Sequence, residues 1–273
     1  MRNLKRQLLA GPYLIWMVGF VLLPVGMILY YALTTTSGQF TTFNITSITA
    51  SVHLKALFLS LKLALACTLI CLGLSYPLAM ILNNMNGKRH GLIVFIFILP
   101  MWMNFMLRIL AWKMLLSNNG VINTVLGYFG LPGLDVLNTP SAVVFCMVYD
   151  FLPFMILPIY NAMSRIEKDV IEAAKDLGAG SLTVFFKVIL PLTMSGVVSG
   201  IIMVFVPALT SFAISDLLGG GKVLLIGNVI EQAFMQEYNW NLGSGLSLVL
   251  MVFVIVSMAL MNSHGEEGGA GIC

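Results

Sequence analysis

SRIEKDVIEAAKDLGAGSLTVFFKVILP, residues 164–191, is a charge-rich stretch set between long apolar runs. Val170, Ala174 and Leu177 fall at i, i+4 and i+7, one face of a helix. Gly178 and Gly180 interrupt, and Ser181 is a good N-cap for a second helix. Leu182, Phe185, Phe186 and Ile189 make the next apolar stripe, and Pro191 is expected to stop that helix where another apolar run begins. The spacing therefore predicts two short helices with a glycine break, each apolar face held by the rest of the protein. Glu172, Lys175 and Asp176 are left on the opposite face, and Ala173 is small enough for a partner surface to approach the backbone, as when a helix docks in a groove. Periodicity alone favours an ordinary amphipathic loop.

The flanking sequence sets the solvent. Of 273 residues, 59% are hydrophobic and 9% charged, and the mean hydropathy is +0.97. A soluble domain is about a quarter charged, so much of this surface must face lipid. A bilayer core needs about 20 apolar residues per helix. Six runs qualify, at roughly 13–34, 56–83, 92–114, 140–163, 192–216 and 241–262. The first is expected to be retained, since a cleaved signal peptide has a shorter apolar stretch and a small-residue cleavage site. The expected organisation is one all-α membrane domain over 1–262, then a disordered, acidic and glycine-rich tail over 263–273. A net charge of +3 is too small and scattered for nucleic-acid binding. The cysteines and histidines suggest neither a metal site nor a disulfide.

Basic residues orient the spans. Arg2, Lys5 and Arg6 precede the first, Lys88 and Arg89 lie between the second and third, and Arg165, Lys168, Lys175 and Lys187 lie between the fourth and fifth. Loops on the other side are poorer in them. Both termini are expected in the cytoplasm, which places 164–191 on the same side.

In that position the spacing gains a second meaning. Glu172-Ala173-Ala174, three residues, Gly178, nine residues, then Val188-Ile189-Leu190-Pro191 resembles the EAA signature of the permease subunits of ABC importers. The family usually has isoleucine where Val188 stands. The resemblance implies six membrane-spanning helices with a cytoplasmic coupling helix between spans 4 and 5. By it, Glu172, Ala173, Ala174 and Gly178, with Val188, Leu190 and Pro191, engage a cytoplasmic ABC ATPase subunit. It also implies a second homologous permease subunit and an extracytoplasmic binding protein. The chain itself would catalyse nothing and hold no cofactor. ATP would be bound by the partner: Gly219-Gly220-Gly221-Lys222 is followed by Val223, and a phosphate-binding loop needs Ser or Thr there, between a strand and a helix.

Further stretches narrow the likeness. Trp102 to Arg108, Leu116 to Asn123, Leu152-Pro153-Phe154-Met155, Ser215-Asp216 with Gly219 to Lys222, and Leu225 to Asn228 resemble spermidine/putrescine permeases of the PotB type. The implied cargo is a polyamine, crossing the bacterial cytoplasmic membrane. An ABC permease for another small solute shares much of this framework, and an ion-gradient secondary transporter or a non-transporting scaffold are the more distant readings.

Ionisable residues inside spans are expensive and mark function by default. Asp150 falls near the middle of span 4 and Asp216 near the outer end of span 5. With Trp102 and Tyr149 they offer the carboxylates and aromatic faces that a polycation requires. The alternative is that an acid pairs with Arg108 or Lys62 and holds helices together.

Overall fold

The computed structural model describes residues 11–85, 95–97 and 99–270, with side chains described as far as Met261. Regular structure among these residues is helical, apart from one isolated antiparallel bridge between Thr34 and Phe40. Four helices are long and apolar enough to cross a membrane: α1 (Gly11–Ala32), α2 (Ser51–Asn84), α5 (Pro140–Met163) and the first part of α11 (Trp240–Ala270). A fifth candidate is a bent pair, α7 (Ser181–Leu192) and α8 (Met194–Thr210), meeting at 64°. Between them lie α3 (Phe105–Leu116), α4 (Val121–Tyr128), α6 (Lys168–Asp176), α9 (Ala213–Gly219) and α10 (Ile226–Met235).

The chain divides into two compact units. Met1–Lys55 with Val229–Val254 form one, and Ala56–Asn228 with Ile255–Cys273 the other. In the first, α1 carries a π-turn at Val18–Leu22, directly before Pro24. Proline has no N–H for the carbonyl four residues back, and the wider turn absorbs the mismatch. The last carbonyls of α1, and that of Thr34 in the turn after it, are satisfied by side chains. The Asn241 amide donates to the oxygens of Tyr31 (3.1 Å) and Thr34 (2.6 Å), and the Asn44 amide donates to those of Ala32 (3.2 Å) and Thr34 (2.9 Å).

In the second unit α5 has the bounds that composition predicts. Thr139 caps it, its hydroxyl accepting from the Ala142 N–H, and Pro140 sits in the first turn, where no N–H is needed. Helix α8 packs closely on it. A Cβ at Gly196 would lie 2.6 Å from the Pro158 carbonyl oxygen, and one at Gly200 2.7 Å from the Met155 sulfur. Two small residues four apart let membrane helices approach in this way. Gly196→Val is accordingly expected to destabilise the protein by about 3 kcal/mol, since backbone cannot yield to an added methyl. Gly26→Val, where a Cβ meets nothing within 4 Å, should be neutral. Thermal unfolding in detergent, followed by size-exclusion chromatography, compares the two.

The expected spans are redrawn in four places. Helix α2 starts at Ser51, before the apolar run, because nothing in Ser51 to Lys55 breaks a helix. Its 34 residues make it about 51 Å long, longer than a hydrocarbon core of about 30 Å. The third run is not one helix among the described residues. A 3-10 turn, Leu99–Trp102, contains Pro100, and Asn104 then caps a fresh helix, α3, by accepting from the Leu107 N–H; residues 92–94 and 98 lie outside the described residues. The fifth run breaks at Thr193 and again after Thr210, leaving Asp216 on the separate α9. The sixth continues as helix past Asn262 to Ala270, into the stretch read as a tail.

Candidate functional site

The stretch 164–191 forms the predicted pair of helices. Asp169 lies in the first turn of α6 and Lys175 in its last, both complementing the helix dipole. The helix ends in a Schellman motif: the Ala179 N–H donates to the Ala174 oxygen (3.1 Å) and the Gly178 N–H to the Lys175 oxygen (2.9 Å). This closure places Gly178 at φ +82°, in the left-handed region where only glycine is unstrained. The N-cap of α7 is Gly180, and Ser181, expected as the cap, is its first helical residue.

Glu172, Ala173, Lys175 and Asp176 are exposed, as their face requires. The apolar stripes are not covered as expected. Leu177 is 90% exposed, Leu182 75%, Phe186 60% and Val170 43%. Only Val184 is buried, while the Phe185 ring packs edge-on to Tyr76 with centroids 5.4 Å apart.

Pro191 does not stop α7. A π-turn at Phe185–Ile189 precedes it, as one precedes Pro24, and the helix runs through to Leu192. The bend falls at Thr193, which is fully buried. Its hydroxyl donates to the oxygens of Ile189 (2.8 Å) or Leu190 (3.1 Å). With that proton committed, the contact of 2.7 Å between the Tyr76 and Thr193 hydroxyls has Tyr76 as donor. Helix α2 thereby holds the corner between the projecting segment and α8.

A second constellation lies inside the unit. Arg108 on α3 and Asp150 on α5 form an ion pair, Nε to Oδ1 2.5 Å, with both residues buried. The guanidinium also donates to the Pro100 oxygen (2.5 Å), which accepts the Met103 N–H as well (3.3 Å), and its Cζ stands 5.9 Å from the ring centroids of Phe105 and Tyr149. The Cys146 thiol lies 3.9 Å from the other Asp150 oxygen. An unpaired charge in hydrocarbon is costly, and here each charge neutralises the other while tying a broken helix to a continuous one.

The family described as the inner membrane component of binding-protein-dependent transport systems matches residues 73–263. This chain belongs to that family. The spermidine/putrescine transport system permease protein PotB of Haemophilus influenzae is 39% identical over 88% of this chain and 86% of its own. That of Escherichia coli is 39% identical over 87% and 89%. YdcU, an inner membrane ABC transporter permease protein of E. coli, is 28% identical over 76% and 70%. A bacterial ABC transporter chain involved in import of the polysaccharide alginate has the same fold, with TM-score 0.81, 18% identity, and coverage of 97% and 98%. The permease is thus a non-enzymatic transport subunit of the inner membrane.

Within the permease, the residues singled out for a cargo path separate. Tyr149 and Asp150 share the Arg108 cluster, so the pairing alternative holds for Asp150, with Arg108 as its partner. Trp102 is 75% exposed, its ring edge-on to Phe95, and Asp216 is exposed on α9. Sequence reading missed what the stretch around Asp216 does for the fold. Ser215 donates to Asn228 (2.5 Å), Asn228 also accepts from the Leu225 N–H and donates to the Phe212 oxygen, and the Ile226 N–H donates to Ser60. Gly220 and Gly221 adopt positive φ, and a Cβ at Gly220 would strike Asn138. The glycine run is a clasp that shapes the turn after α9. The signal was the pairing of Ser215 with Asn228 around consecutive glycines, which periodicity does not score.

Proposed function

We propose that this permease is one of two related membrane subunits of an ATP-driven importer that carries spermidine or putrescine into the cytoplasm. The observation that carries the coupling half of this reading is α6, a short helix closed by a Schellman glycine and presenting Glu172, Ala173, Lys175 and Asp176 without cover. Its uncovered neighbours Leu177, Leu182 and Phe186 supply an apolar edge for the groove of a cytoplasmic ATPase. Ala174, Val188, Leu190 and Pro191 shape the same projection. The cargo half rests on PotB relatives at 39% identity.

In this reading the membrane domain is 1–262 and 263–273 is a cytoplasmic tail. Six passes, the third broken at Pro100–Asn104, place both termini in the cytoplasm. An extracytoplasmic binding protein delivers the polyamine, the two permeases rock between outward- and inward-open states, and ATP is bound and hydrolysed by the partner alone. Trp102, Tyr149 and Asp216 line the path, and Asp150, paired with Arg108, holds the helices beside it.

The test is uptake of labelled spermidine into proteoliposomes holding both permeases and the ATPase, fed with binding protein. Uptake is expected only with ATP, and unlabelled putrescine should compete while neutral solutes do not. Uptake driven by an ion gradient without the ATPase would refute the coupling half. ATP-driven transport of something other than polyamines would refute only the cargo half.

A further inference from the structure

The unit made of Met1–Lys55 and Val229–Val254 contains an open cavity, a cleft of about 590 Å³ rimmed by exposed rings, where α1 ends and α11 begins. Small-molecule sites run from about 300 to 1,000 Å³. Four of its lining residues are aromatic, Tyr30, Tyr31, Tyr238 and Trp240, and Glu237 is the only charged one. The rest of the lining is hydroxyl, amide and glycine, with no basic side chain.

The walls are held in place. Rings of Tyr31 and Trp240 stand 6.3 Å apart between centroids, Tyr30 packs edge-on to Tyr31 at 5.5 Å, and Phe234 backs Trp240 at 5.6 Å. The Asn241 amide pins the backbone of Tyr31 and Thr34, as described above. The loop after α10 is closed by the N–H groups of Glu237 onto Gln232 (3.0 Å) and of Asn239 onto Ala233 (2.9 Å). That closure puts Tyr238 at φ +52°, a conformation a tyrosine seldom takes. Residues held so are found at ligand clamps.

The chemistry selects one class of ligand. Aromatic faces attract ammonium groups, and an unopposed carboxylate attracts cations and repels anions. The same rings pack against methylene segments. An interfacial aromatic belt explains exposed tyrosines and tryptophans singly, but not a carboxylate among them on a loop whose backbone is strained.

We propose that this cavity is a binding site for an organic polycation of the alkyl-polyamine class, separate from the Arg108–Asp150 cluster. Resting on the cargo and orientation given under the proposed function, it lies at the outer face and receives polyamine as the binding protein releases it.

Flow dialysis of labelled spermidine against the assembled wild-type transporter in nanodiscs, without binding protein or ATP, tests this. Saturable binding is expected. Glu237→Gln and Trp240→Leu should each weaken it about fivefold, while Glu231→Gln, outside the cavity, leaves it intact. Absence of saturable binding to the wild type, or equal binding by both cavity variants and the wild type, overturns the proposal. So does an equal loss of affinity for empty and loaded binding protein in both variants, which marks a docking surface instead. A wild-type transporter that binds spermidine here yet imports no polyamine refutes the cargo assignment and leaves the cavity standing. One that imports spermidine without binding it here does the reverse.

Discussion

Gly178→Val is expected to reduce ATP-driven uptake by tenfold or more. At φ +82° a side chain bearing a Cβ is strained by about 1–2 kcal/mol, a factor of about 5–30 in the population of the native turn, and β-branching worsens it. The strain falls on the Schellman closure that fixes how α6 stands out from the unit. The loss should therefore appear in coupling. Two companion variants separate misfolding from failed docking. Ala173→Leu and Glu172→Ala alter exposed positions, so the fold should survive while ATPase docking and uptake fall. Detergent-solubilised complexes are scored for co-purifying ATPase and for ATP turnover stimulated by binding protein. If all three variants accumulate normally and transport as well as the wild type, force does not pass through α6.

Much of this projection was legible in the sequence. The apolar run at 140–163 matches the bounds of α5, and the glycine break falls between two helices as the spacing predicts. What could not be read is instructive. Hydropathy sees an apolar residue and not its hydrogen bonds, so the third run looked whole although Pro100 lacks a donor and the Asn104 side chain starts a new helix. Proline was over-read at Pro191, because a π-turn upstream lets the chain pass through it. The true corner is Thr193, and its signal is a tyrosine on another helix, more than a hundred residues away in sequence. The apolar stripes of α6 and α7 promised an internal contact that one chain does not supply, since periodicity reports that a face needs covering and not by what.

Asp150 shows the same limit in reverse, and it carries the second large effect. An acid in a span reads as a functional residue; the structure gives it Arg108 at 2.5 Å and leaves it 1% exposed. Removing one partner strands the other charge. Asp150→Leu and Arg108→Met are each expected to cost about 3–5 kcal/mol of stability, enough to abolish accumulation of folded permease. Arg108→Met should be the more damaging, because it also removes a charge-assisted hydrogen bond to the Pro100 carbonyl. The double variant carries no buried charge, and replacing a buried pair by apolar groups is often neutral. It should regain most of the lost stability, so the coupling between the two sites in a double-mutant cycle should be several kcal/mol. Thermal unfolding of the purified permease complex measures it. Uptake is expected to return with the fold, because a carboxylate already neutralised by a guanidinium has little attraction left for a polycation. A double variant that folds but does not transport would instead require Arg108 to swing away in the working cycle, leaving Asp150 free to meet the cargo in a state other than this one.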